Sequence, residues 1–95
     1  MADLSTPKFN VGRCSISCEA HAYLESCEVK PEFLVRRHAC GDWGDINDWD
    51  KAANDAAIVT GSHIMSSYNV NGTPVWVRTD QETKRTVVFM SVEGL

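Results

Sequence analysis

Hydrophobic and polar positions divide the chain into a helical first part and a strand-rich last third. From Phe9 to Ile16 the side chains alternate, with Val11, Arg13 and Ser15 on one face and Gly12, Cys14 and Ile16 on the other, which predicts a short strand. Ser17 is placed to N-cap a helix over Cys18 to Ser26. Ala20, Tyr23, Leu24 and Cys27 recur three and four apart and give that helix an apolar stripe. Pro31 suits the first turn of a second helix, because its missing N–H would be unpaired there in any case. Glu32 favours the positive end of that helix; Phe33, Leu34 and His38 point inward, and Gly41 stops it. A third helix is predicted from Asp48 to Val59, with Trp49, Ala52, Ala53, Ala56 and Ala57 as a narrow packing stripe and Gly61 as its end.

The last third reads as three strands. His63 to Val70 is the first, and Asn71-Gly72 marks a tight type I′ hairpin, since both central positions of that turn need positive φ. Pro74 to Thr79 is the second strand, Asp80 to Lys84 a polar turn, and Arg85 to Val92 the third strand, rich in β-branched residues. The expected fold is α+β: a small, curved antiparallel sheet, made of the three-stranded C-terminal meander and an N-terminal edge strand, with about three helices packed on one face. Residues 1–95 form a single domain, and residues 1–8 are expected to be flexible or loosely docked.

Charge and composition narrow the function. A net charge of −4, with nine scattered basic residues, argues against binding nucleic acid by neutralising phosphates. It suits a protein partner, a small molecule or simple solubility. No apolar run approaches the roughly eighteen residues a membrane span needs. Met1-Ala2-Asp3-Leu4-Ser5 does not open a secretory signal, so the expected location is the cytoplasm. There a disulfide scaffold is disfavoured for Cys14, Cys18, Cys27 and Cys40. A zinc site from Cys14, Cys18, His38 and Cys40 has poor spacing. Free, mostly buried thiols are expected, with no metal and no cofactor.

Candidate chemistry is sparse. Asp42, Asp45, Asp48 and Asp50 form an acidic turn, but a calcium loop begun at Asp45 fails at Trp49, where a ligand should stand. Those aspartates suit helix capping and turn amides. Trp43, between Gly41 and Gly44, either presents its indole as a binding anchor or folds back over the third helix. His38, His63, Tyr68, Arg78 and Thr86 could converge on one face in the manner of a RelE- or barnase-like RNase, with His38, Arg78 and Thr86 as the catalytic set. Otherwise His38 complements its helix dipole and Arg78 pairs across strands with a carboxylate. A nucleophilic cysteine would need a neighbouring base and an electropositive, partly open site. On the sheet, Met65, Trp76 and Phe89 make the face away from the core more apolar than solvent requires. Either a partner or the N-terminal segment, with Leu4 and Phe9, would cover it.

One set of motifs stands apart: Arg37-His38-Ala39-Cys40-Gly41-Asp42-Trp43-Gly44-Asp45, Asn54-Asp55, Gly61-Ser62-His63-Ile64-Met65-Ser66-Ser67-Tyr68, Val75-Trp76-Val77 and Arg85-Thr86-Val87-Val88. Across about residues 10–92 this resembles the short "plasmid-related" proteins of bacterial plasmids and integrative elements. The resemblance implies a mobile-DNA setting and no particular reaction. The family's acidic-tyrosine ending is replaced here by Ser91-Val92-Glu93-Gly94-Leu95. The combined expectation is a non-enzymatic protein-binding accessory protein, a counter-defence inhibitor or regulator, with Asp42, Trp43, Asp45, Met65, Tyr68 and Trp76 as contact residues. A homodimer is the further partner expected, and a small RNase is the alternative.

Overall fold

The computed structural model describes residues 6–90. The elements run β1 (Arg13–Ile16), α1 (Cys18–Ser26), α2 (Pro31–Ala39), α3 (Asp48–Thr60), β2 (Ile64–Val70), β3 (Thr73–Asp80) and β4 (Arg85–Met90). One four-stranded sheet has the order β1-β4-β3-β2. The α+β class and the one-sided helical layer agree with expectation. The sheet is mixed, however: β2, β3 and β4 form the antiparallel meander, while β1 lies parallel to β4, with Cys14 opposite Thr86 and Ile16 opposite Val88.

Local signals explain most boundaries. The Ser17 hydroxyl accepts the Ala20 amide at 3.1 Å and starts α1. Asn47 Oδ1 accepts the Asp50 amide at 2.8 Å and starts α3, and Gly61 at φ 80° ends it. Asn71 and Gly72, at φ 51° and 87°, make the hairpin turn. β1 is shorter than the alternation suggested. Gly12, at φ 66°, presses so close to the Lys84 carbonyl that a Cβ there would lie 2.1 Å from its oxygen, and extended pairing begins only beyond it. Val92 lies outside the described residues, as does Leu4. Lys8, expected to be loose, donates its amide to the Ala39 carbonyl at 2.7 Å.

The main core joins Ala20 and Leu24 of α1, Leu34 of α2, and Tyr68, Val70, Val75, Val77 and Val88 of the sheet. A second cluster packs Trp43, Ala57 and Ile64, with Phe9, Ile46 and Ile58 around them. Two stripes differ from expectation. Phe33 points to solvent, leaving Leu34 and His38 as the inward residues of α2. On α3 the buried residues are Asn54 and Ala57, whereas Trp49 is 84% exposed. The cause is Asn54. Its amide donates to the Met65 carbonyl at 2.8 Å and its Oδ1 accepts the Met65 amide at 3.2 Å, turning that face of the helix onto the edge of β2.

Candidate functional site

Strand alternation sorts the proposed residues onto two faces. The inner face holds Ser66, Tyr68, Thr79 and Thr86, and His38 reaches it from α2. The His38 ring is fully buried, with Nδ1 2.5 Å from Ser66 Oγ and Nε2 2.9 Å from Thr79 Oγ1. Thr79 Oγ1 lies 2.6 Å from Thr86 Oγ1, and the Thr86 hydroxyl donates to the Val11 carbonyl at 2.7 Å. That last bond fixes the direction of the others. Thr86 has spent its proton, so it accepts from Thr79; Thr79 accepts from His38 Nε2–H; and the bare Nδ1 accepts from Ser66. Burial pushes the His38 pKa down to about 3 and keeps the ring neutral.

This arrangement removes the RNase set. His38 and Thr86 are linked through Thr79, but both are sealed from solvent. Arg78 stands on the opposite face of the sheet. No substrate reaches all three. Being neutral and internal, His38 also does not serve its helix dipole as a cation.

The acidic turn is likewise internal in its work. Asp42 Oδ2 accepts Arg37 Nε at 2.6 Å, its Oδ1 accepts the Gly44 amide at 3.3 Å, and its carbonyl accepts the Tyr68 hydroxyl at 2.6 Å. The Arg37 guanidinium also lies 4.5 Å from the centroid of the Tyr68 ring. Asp45 Oδ2 accepts the Asn69 amide at 2.9 Å. Trp43 is buried, stacks near Phe9 and His38, and donates its indole N–H to Asp55 at 3.1 Å. Tyr68 is buried too, and burial drives its phenol pKa upward. As contact residues Trp43 and Tyr68 are therefore corrected, since both are buried, while Asp42 stays part-exposed with its carboxylate engaged by Arg37 and Gly44.

The outer face keeps Met65 and Trp76. It is built in three cross-strand rows: Ser67, Trp76 and Phe89; Met65, Arg78, Val87 and Ser15; and Asp80, Arg85 and Arg13. Met65, Trp76 and Phe89 are half-buried and Val87 is exposed. The three helices pack on the other side, α1 against β4, α2 against β2 and β3, and α3 against β2. Phe9 sits in the second core cluster, so it does not cover this face. Arg78 Nη2 donates to His63 Nδ1 at 2.9 Å, and His63 Nε2 lies 3.5 Å from Asp80 Oδ2; among the described residues Arg78 thus meets a carboxylate only through His63. The Asp80 carboxyl is held below its usual range, chiefly by the Thr83 amide. The indole N–H of Trp76 is covered and meets no acceptor among the described residues.

Reading the sequence missed Arg13, Arg85 and Val87 on this face. Arg85 and Val87 share the alternation of Phe89 along β4, which was the available signal, whereas Arg13 joins the face only through the pairing of β1 with β4. All four cysteines are free; Cys40 is buried, Cys27 is half-buried, and Cys14 and Cys18 are exposed, against the expectation of mostly buried thiols. Burial raises the Cys14 pKa, away from a reactive thiolate. Among the described residues no three His, Cys, Asp or Glu side chains gather as metal ligands, and no helix is long and apolar enough to cross a membrane. Comparison of the chain with family models, with curated proteins and with solved structures finds no match in any of the three.

Proposed function

We propose that the chain is a protein-binding module that works through the outer face of its sheet. The observation that carries this reading is the pairing of Trp76 with Phe89 on a face against which no helix packs, with Met65 and Val87 beside them. Apolar and aromatic residues grouped in this way form the centre of a contact patch, and arginines suit its rim. The rim here is Arg13, Arg78 and Arg85, against the one carboxylate, Asp80, that the described strand residues place on this face. The acids Glu19, Glu25, Glu32, Asp48, Asp50 and Asp55 lie on the helices. A net charge of −4 therefore hides a basic sheet face, and the partner that fits is acidic around an apolar centre.

The resemblance to plasmid-related proteins supports a setting on a mobile element, where an accessory regulator or counter-defence inhibitor acts by such contact. The test is affinity capture from a bacterial lysate with the wild-type chain, Trp76→Ala, Arg78→Glu and Trp49→Ser. Capture of one stoichiometric acidic protein should be lost in the first two variants and kept in Trp49→Ser, whose indole lies off the face. Equal capture by all four would refute the reading. Specific retention of RNA in place of protein would transfer the same face to single-stranded nucleic acid, since aromatic and arginine side chains also stack on bases.

A further inference from the structure

The outward side of α3 is apolar. Trp49, Ala52, Ala56 and Val59 recur three, four and three residues apart, so they share one stripe about 15 Å long. All four are exposed, Trp49 at 84% and Val59 at 87%. Asn54, which holds the helix on β2, lies about half a turn from the midline of that stripe. A surface helix ordinarily turns its charged residues to solvent. Here the side directly away from the core carries a tryptophan, a valine and alanines. Their spacing is that of the a and d positions of a coiled-coil seam, and alanines at its centre let another helix approach to about 8 Å. Trp49 stands at one end as a large anchor.

Charge says what such a helix carries. Asp48 and Asp55 flank one side of the stripe, seven residues apart, and both are exposed. Asp48 suits the start of a helix, but Asp55 lies in its middle, where the dipole gives it no support. The Trp43 indole N–H fixes Asp55 through one oxygen at 3.1 Å. Neither carboxylate forms an ion pair among the described residues. Lys51, the one basic residue of α3, is half-buried toward the core side.

We infer that this face of α3 docks an amphipathic helix of a partner protein, one with an apolar seam and with Lys or Arg on the flank that meets Asp48 and Asp55. A second copy of the chain fits less well. Set antiparallel, with Trp49 over Val59 and Ala52 over Ala56, two α3 helices bring Asp55 beside Asp55. A basic flank instead gives both carboxylates a counter-charge. The helices pack on the inner side of the sheet, so this contact leaves the outer face open and does not depend on what that face binds. With both faces occupied, the chain bridges an acidic partner and a basic helix.

The probe is a synthetic three-heptad peptide with apolar a and d positions and lysine at e and g, beside a twin with glutamate at e and g. Titration calorimetry and tryptophan emission read its binding to the wild type, Trp49→Ser, Ala56→Glu and Trp76→Ala. The lysine peptide should bind the wild type and Trp76→Ala saturably, with wild-type emission moved to shorter wavelength as Trp49 is covered. Binding should weaken about tenfold or more in Trp49→Ser and in Ala56→Glu. Both sites are exposed, so the fold tolerates the changes. Ala56→Glu adds negative charge, so a merely electrostatic attraction would strengthen in it where seam docking weakens. The glutamate twin should not bind. Absence of saturable binding to the wild type, or equal affinity for Ala56→Glu, would overturn the inference. A dimer in sedimentation velocity that Ala56→Glu dissolves would overturn it too, by giving the face to a second copy.

Discussion

His38 Nε2 donates to Thr79 Oγ1 at 2.9 Å, in a part of the core that solvent does not reach. The imidazole is neutral there, its pKa lowered by burial from 6.5 to about 3. Unfolded, the same ring takes up a proton near its ordinary value. Between those two values the unfolded chain binds more protons than the fold, so stability is fully present above about pH 6.5 and falls as the pH drops toward about 3. The slope from this group is on the order of 1.4 kcal/mol per pH unit. Urea unfolding at pH 7 and pH 5 should show that loss in the wild type. His38→Gln should be less stable at pH 7 and lose distinctly less on acidification. Equal losses in both proteins would mean that His38 is not the group responsible.

Asn54→Ala should destabilise the domain by roughly 2 kcal/mol, because it leaves both the N–H and the C=O of Met65 unpaired at the β2 edge. The gain in helix propensity on changing to Ala is smaller than this. A thermal melt reads the difference, and an unchanged midpoint would count against the edge-capping role.

Gly44→Ala and Gly61→Ala form a matched pair. Both glycines have positive φ, at 75° and 80°. A Cβ at Gly44 would lie 2.0 Å from the Ser67 carbonyl oxygen and 2.7 Å from the Tyr68 ring, whereas nothing lies within 4 Å at Gly61. Gly61→Ala should cost about 1 kcal/mol of backbone strain. Gly44→Ala should cost clearly more, and chemical denaturation of the two proteins would rank them.

Trp49→Ser should change stability by no more than about 0.5 kcal/mol, since the indole is 84% exposed on α3. A large loss would mean that the face of α3 has been misassigned.

What the sequence reveals tracks how local its cause is. Ser17, Pro31, Gly61 and the Asn71-Gly72 pair each act within a few residues of themselves, and the elements they bound were legible. The direction of β1 was not, because its partner Arg85 is distant in the chain and the short alternation fits either sense. The packing face of α3 was misread for a related reason. Alanines mark no side by themselves, and the residue that sets the rotation is Asn54, a poor helix former whose presence mid-helix was the available clue. The binding face was half legible. Met65 and Trp76 followed from alternation alone, but the engagement of the Asp42 carboxylate by Arg37 and the Gly44 amide was not legible.

The hydroxyls of Thr79 and Thr86, joined at 2.6 Å, do something for the sheet that its valines cannot. Hydrophobicity distinguishes faces with a period of two, so a slip of two residues between β3 and β4 keeps every apolar side chain inward. It would, however, set Val77 opposite Thr86 and leave the buried hydroxyl of Thr79 without the acceptor that Thr86 supplies. The hydroxyls therefore count residues where the valines count only sides, and they make a nearly correct sheet almost as costly as a wrong one.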